Sequence, residues 1–325
     1  MKHHPPARPL LGPLIPLYRL ALGLRELRLQ SGWESVRQLQ KPVISVGNIS
    51  AGGAGKTPLT ISLARALTRR GVAVDVLSRG YGRQSRLAAR VDPEGSAAEY
   101  GDEPLLVARA TGLPVYVSSQ RYEAGQMAES APAPVVLHLL DDGFQHRQLT
   151  RSVDIVLVSR EDLRDHLLPA GNLREPVSAL HRATVLAIPA EEPNTESELR
   201  ALGFAGPIWR IHRRMEIPDV FGPAVAFCGI ARPGQFFSGL EQADLDLAAC
   251  KPFPDHHTYQ PNDLLQLASL AIDSRATLLT TEKDATRIGA LARLLPRAVQ
   301  LRTVGLITEI EDEDAVLDWL LARLA

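Results

Sequence analysis

Residues 47–58 read Gly-Asn-Ile-Ser-Ala-Gly-Gly-Ala-Gly-Lys-Thr-Pro, and the closing Gly55-Lys56-Thr57 has the chemistry of a triphosphate cradle. In such a loop glycines let backbone N–H groups approach phosphate oxygens. The lysine places a point charge on the β and γ phosphates, and the threonine hydroxyl takes a Mg²⁺ position. On this reading Ser50, Ala51, Gly52, Gly53, Ala54, Gly55, Lys56 and Thr57 hold a nucleotide, with Lys56 also assisting transfer of its terminal phosphate. Ser50 departs from the usual pattern, which has glycine five residues before Gly55. Gly52 and Gly53 are the candidates for supplying the missing flexibility.

Other polar groups follow apolar runs, where a strand would end. Asp141 and Asp142, after Val135 to Leu140, are candidate Mg²⁺ partners alongside Thr57. Asp102 and Glu103 precede Pro104 and a helical stretch, so Asp102 reads locally as a helix cap, while a carboxylate is also what phosphoryl transfer to an alcohol needs as proton acceptor. Asp255-His256-His257 offers an imidazole to orient such a base, or a solvated turn. Arg79, Arg121 and Arg174 also lie beyond apolar runs and suit phosphates. Thr281-Glu282-Lys283-Asp284 reads as a structural cap opening a helix over 285–295. It does not form an N-K-x-D guanine reader, because Lys283 abuts Asp284.

Apolar runs at 43–46, 72–77, 113–117, 135–140, 155–158 and 185–188 alternate with helical stretches, among them one with Leu59, Leu63 and Leu67 four residues apart. That rhythm predicts an α/β fold of the P-loop NTPase type, a mainly parallel sheet flanked by helices, with ligands beyond the C-terminal strand ends. The rhythm restarts near Gly222. Expected domains are an N-terminal amphipathic helix over 1–40, a P-loop core over 41–221 and a smaller C-terminal α/β lobe over 222–325, with 206–223 crossing between lobes and 190–197 a solvated loop.

The chain has 325 residues and a formal net charge of −1, which disfavours nucleic acid as a partner. Nothing in it points to an obligate protein partner. Two cysteines without metal-ligand spacing suit a reducing compartment. Residues 1–41 differ from the average: Lys2, Arg8, Arg19, Arg25, Arg28, Arg37 and Lys41 face only Glu26 and Glu34, a local +5. Leu10, Leu14, Leu17, Ala21 and Leu24 recur at helical spacing, with Leu11, Ile15, Tyr18 and Leu22 alongside. Such a stripe bordered by arginines suits a membrane interface, and equally a helix packed on the protein's own core. Pro13 and Pro16 argue against a signal peptide.

Together, residues 47–58, Ser78-Arg79-Gly80-Tyr81-Gly82, Gly101-Asp102-Glu103-Pro104, Leu140-Asp141-Asp142-Gly143-Phe144-Gln145-His146, Leu173-Arg174-Glu175-Pro176, Phe253-Pro254-Asp255-His256-His257 and Thr281-Glu282-Lys283-Asp284 closely resemble the tetraacyldisaccharide 4'-kinase family of lipid A biosynthesis. The resemblance spans most of the chain. It implies a Mg²⁺-dependent kinase at the cytoplasmic face of the inner membrane that passes the γ-phosphate of ATP to the 4'-hydroxyl of an acylated disaccharide lipid. It implies membrane docking by the N-terminal helix, Asp141 and Asp142 on the metal strand, and Asp102 with His256 as a base dyad. Tyr81, Glu103, Arg121, Gln145 and Arg174 correspond to positions around nucleotide or lipid headgroup. The residues by themselves leave open a P-loop kinase of a soluble sugar or nucleoside, or a non-enzymatic nucleotide switch.

Overall fold

A computed structural model describes residues 8–132 and 135–324; Lys2 and the rest of 1–7 lie outside them. The first half runs α1 (Ile15–Gln30), β1 (Val43–Asn48), α2 (Lys56–Arg69), β2 (Val74–Ser78), β3 (Ala89–Arg90), α3 (Ala97–Tyr100), α4 (Asp102–Thr111), β4 (Val115–Val117), α5 (Arg121–Glu129), β5 (Leu137–Asp141), β6 (Val153–Leu157), β7 (Val185–Pro189) and α6 (Asn194–Ala201). Then follow β8 (Ile208–Glu216), β9 (Ala224–Cys228), α7 (Pro233–Gln242), β10 (Leu247–Pro252), α8 (Pro261–Asp273), β11 (Thr277–Thr281), α9 (Glu282–Ile288), β12 (Leu301–Ile310) and α10 (Glu313–Leu324).

All twelve strands of these residues join one sheet in the order β10-β9-β11-β12-β8-β7-β6-β1-β5-β2-β4-β3. Pairing is parallel except at β12 with β8 and β3 with β4. β1 sits centrally with all six residues buried, as a strand covered by helices on both faces requires. On one face Ile44 and Val46 pack with Leu59, Leu63 and Leu67 of α2, the periodic leucines of the sequence. On the other, Ile49 and Phe144 join Val156, Leu186 and Ile188. β1 pairs with β5 so that Val46 lies opposite Asp141. That register sets the glycine loop beside the Asp141-Asp142 pair.

Two stretches without a clear apolar rhythm prove to be strands. Residues 206–223, expected as a crossing segment, contain the nine-residue β8, and β12 precedes the last helix. β8 carries Arg210, Arg213, Arg214 and Glu216, and β12 interrupts its apolar residues with Arg302, Thr303, Gly305, Thr308 and Glu309, so their alternation is diluted. Asn194 to Ser197, expected as loop, begins α6. α10 returns to the first half: Val316, Leu317 and Leu320 enter the core around β1, and Arg70, the residue just after α2, bonds Asp314 and Asp318.

Gly47 shows how tightly the central strands constrain the site loops. A Cβ there would stand 2.4 Å from Phe144 Cβ and 2.8 Å from its backbone nitrogen, a clash that no rotamer relieves. Gly47→Ala is therefore expected to lower unfolding free energy by about 1–3 kcal/mol, as overpacking does, measured by chemical denaturation.

Candidate active site

The glycine loop opens α2 through Gly55, whose φ of 82° lies in the left-handed region. A Cβ on Gly55 would also meet the Arg213 guanidinium of β8 at 2.9–3.1 Å. Arg213 Nη2 donates to the Ala54 carbonyl at 2.5 Å, so a side chain far along the chain caps the loop. Ser50 tolerates the missing glycine because its backbone is not left-handed, and the Asn48 amide donates to its carbonyl at 2.8 Å and its hydroxyl at 3.1 Å. The Ala51 N–H is committed to Asn172 O at 2.7 Å. Ser50 and Ala51 thus anchor the loop, while the later amides and the first turn of α2, which lack intrahelical acceptors, are the ones free for phosphate.

At the end of β5, Asp141 is buried. It accepts hydrogen bonds from Thr60 Oγ1 at 2.9 Å and Thr57 Oγ1 at 3.2 Å. Burial pushes the Asp141 carboxyl up, and the charges of Glu103 and Asp142 add to this. Asp142 turns into the left-handed region, φ 51°, which points its carboxylate at Lys56 Nζ, 3.4 Å away, and Arg174 Nη1, 3.3 Å away. Burial opposes its charge, but Lys56 and Arg174 hold it below the usual carboxylate range. Gln145 donates to Asn48 O at 2.8 Å and Glu175 at 3.1 Å, and accepts from Arg174 at 3.4 Å.

Asp102 and Glu103 occupy the first turn of α4, where the helix dipole favours acids. Gly101, not Asp102, is the cap; the Asp102 carboxylate accepts the Glu103 N–H at 2.9 Å. His256, itself at φ 56°, meets Asp102 Oδ2 through Nδ1 at 3.1 Å. That bond raises the imidazole pKa. The Tyr81 ring lies 5.2 Å from the His256 ring, centroid to centroid.

Thr281 caps α9 by accepting the Asp284 N–H at 3.2 Å, as the sequence implies. The same helix also carries two cations that the sequence reading leaves aside: Lys283 bonds Glu103 and Arg287 bonds Asp102 at 2.6 Å. Their four-residue spacing puts both on the α9 face that packs on α4, a signal legible only once α9 is known to meet that helix. The charges of Glu103 and Lys283 extend to Asp141. The acid–base cluster and the phosphate loop are therefore two sides of one site.

A cavity of about 630 Å³ adjoins it, lined by Arg25, Arg37, Arg79, Arg121, Arg174 and Asp142 among others. Arg121 is buried, and its Nε has no hydrogen-bond partner among the described residues. Helix α1 walls this cavity. Ile15, Tyr18 and Leu22 pack against the Phe144 core, Tyr18 Oη donates to Arg174 O at 2.9 Å, and Arg25 donates to Gln145 O.

A phosphate loop on a parallel sheet, an acidic strand end beside it and a carboxylate–imidazole pair facing it define a P-loop phosphotransferase. The sequence profile of the tetraacyldisaccharide-1-P 4'-kinases matches residues 7–325. A protein from Koribacter versatilis named tetraacyldisaccharide 4'-kinase is 40% identical over 320 residues, covering 95% of this chain and 97% of that protein. One of the same name from Gluconacetobacter diazotrophicus is 41% identical over 302 residues, 91% and 89% of the two chains. The crystal structure of the "apo" form of LpxK from Aquifex aeolicus in complex with ATP superposes with a TM-score of 0.76 at 30% identity, covering 98% of this chain and 99% of that one. The chain belongs to the tetraacyldisaccharide 4'-kinase family.

Lys56→Met deletes the cation 3.4 Å from Asp142 while Arg174 still partners that carboxylate. ATP affinity, measured by titration calorimetry, is expected to fall at least roughly tenfold, with the melting temperature close to that of the parent.

Proposed function

We propose that the chain transfers the γ-phosphoryl group of ATP to the 4'-hydroxyl of a tetraacylated glucosamine disaccharide 1-phosphate, forming lipid IVA, with Asp102 as the base. The observation that carries the residue assignment is the link through Lys283, which pairs with Glu103 and whose charge acts on both Asp102, the partner of His256, and Asp141, the neighbour of the Lys56–Asp142 pair. Lys56 and the amides of 52–57 compensate charge on the moving phosphoryl group. Asp102 accepts the sugar hydroxyl's proton, and His256 orients it. Tyr81 and Gln145 line the approach of the acceptor.

Mg²⁺ fits this donor set. Thr57 Oγ1 and Asp141 Oδ2 are hard oxygens 3.2 Å apart, with Asp142 next in sequence, and burial together with neighbouring acids leaves Asp141 short of positive charge. Among the described residues no group of three or more His, Cys, Asp or Glu could hold a metal, and an ion that takes one or two carboxylates and completes its shell with phosphate and water needs none. When bound, Mg²⁺ neutralises phosphate charge.

The arginine-lined cavity, with the unpartnered Nε of Arg121, suits the anionic headgroup of the acceptor. No helix among the described residues is long and apolar enough to cross a membrane. Helix α1 instead leaves Leu17, Leu20, Leu24 and Leu27 50–66% exposed, with Leu10 at 93% and Trp33 at 83% nearby. We read this row as lying in the cytoplasmic leaflet of the inner membrane, with Arg19 and Arg28 toward anionic headgroups. The lobes 41–221 and 222–325, joined through β8 and β12, would close over the reactants and exclude water.

Asp102→Asn is expected to abolish phosphorylated product from ATP and the lipid disaccharide, assayed by mass spectrometry, while ATP binding persists; retained product formation removes Asp102 as the base. Replacing Leu17 and Leu24 by Ser should reduce flotation with anionic vesicles without changing the melting temperature by more than a few degrees, and unchanged flotation removes the membrane role.

A further inference from the structure

Arg287 stands one turn beyond Lys283 on α9, with a side chain only 7% exposed. Its Nε and Nη2 both reach Asp102 Oδ2, at 2.7 and 2.6 Å. Its Nη1 donates to Gly229 O at 2.6 Å and Asp284 Oδ1 at 3.0 Å, so all three nitrogens are engaged. Asp284 is fully buried. It accepts in turn from the Gly229 N–H at 3.0 Å, Tyr259 Oη at 2.9 Å and Thr281 Oγ1 at 2.6 Å. A planar cation held this way cannot swing aside without unpairing several buried groups, unlike one in a surface ion pair.

The consequence falls on the two oxygens of Asp102. Oδ2 is saturated by the Arg287 fork and His256 Nδ1. Oδ1 accepts only the Glu103 N–H among the described residues, and one of its lone pairs stays free. We infer that Arg287, anchored by Asp284 and Tyr259, is a positioning residue for the phosphoryl transfer: it locks Asp102 through Oδ2 and leaves Oδ1 to take the hydroxyl proton. This rests on Asp102 being the base.

The charge balance agrees with the geometry. Burial opposes ionisation of Asp102, while the His256 hydrogen bond and the Arg287 and Lys283 charges overcome it and hold the carboxyl well below its ordinary range. The ionisable groups around it are Glu103 on its own helix, Lys283, Asp284 and Arg287 on α9, and Asp255 and His256 after β10, with Tyr81 against the imidazole. Deleting the Arg287 cation lets Asp102 keep its proton to higher pH, so the acid limb of the rate profile must rise.

The test uses the full chain with ATP and the lipid acceptor, following kcat, KM and their pH dependence for Arg287→Gln, Arg287→Lys and Asp102→Asn, with ATP affinity and circular dichroism measured on each. Arg287→Gln is expected to lower kcat roughly tenfold to hundredfold, as a misplaced reacting group does. Its ATP affinity should stay within about twofold, while the acid limb of kcat/KM moves up by at least about one pH unit, as loss of a neighbouring opposite charge requires. Arg287→Lys, which keeps the charge without the fork, should show lower kcat and a smaller limb shift. A folded Arg287→Gln that is parental in kcat, or uniformly slower with no limb shift, overturns the inference; should that variant not fold, parental kcat in Arg287→Lys does the same. Full turnover in Asp102→Asn instead sinks the base assignment, a distinguishable failure.

Discussion

Four carboxylates, Asp102, Glu103, Asp141 and Asp142, are crowded into one partly dry space, and most of the surrounding structure is arranged to keep their charge tolerable. Each of three has a cation from an element other than its own. Asp142 has Lys56 and Arg174, Glu103 has Lys283, and Asp102 has Arg287. Among the described residues, Asp141 has only hydroxyl donors, from Thr57 and Thr60. A buried carboxylate without a partner cation is costly, and that cost is the physical reason the proposed divalent ion belongs beside Asp141 rather than elsewhere in the cluster.

The same crowding explains why the two halves of the chain share one sheet. Asp102 and Glu103 come from the half that carries the phosphate loop, whereas His256, Lys283 and Arg287 come from beyond β9. The β8–β12 pairing joins the two sets of strands, and α10 packs into the core around β1. Both ties fix the distance across which charges must meet. Arg213, on β8 itself, caps the glycine loop, so the strand between the halves touches the phosphate end directly.

Helix α1 answers an either-or that its sequence poses. Its Ile15, Tyr18 and Leu22 side chains are spent on the protein's own core, while Leu17, Leu20, Leu24 and Leu27 remain in solvent. The stripe is too broad for that one contact, and the polar bonds of Tyr18 and Arg25 to the Arg174 and Gln145 backbones tie the exposed row to the arginine-lined cavity. An apolar face that docks on a bilayer would thereby hold the headgroup cavity at a set height above it.

Where strands were buried on both faces, as in β1, β5 and β6, the sequence located them and the polar residues at their ends, because burial on both sides leaves a near-continuous apolar run. It likewise singled out the glycine loop, Asp141 and Asp142, which the structure sets side by side, since glycine, lysine and acid types at short spacing have a local physical cause. β8 was hidden because its charged side chains break the pattern, and β12 because threonines, a glycine and two charges interrupt its apolar residues. Lys283 and Arg287 were legible only as parts of a capped helix, for their role depends on which helix lies opposite. Chain chemistry alone supplied a loop whose residue types suit a triphosphate. Only tertiary structure decided which carboxylate faces which cation, because those pairs span about 180 residues and arise where α4 and α9 pack.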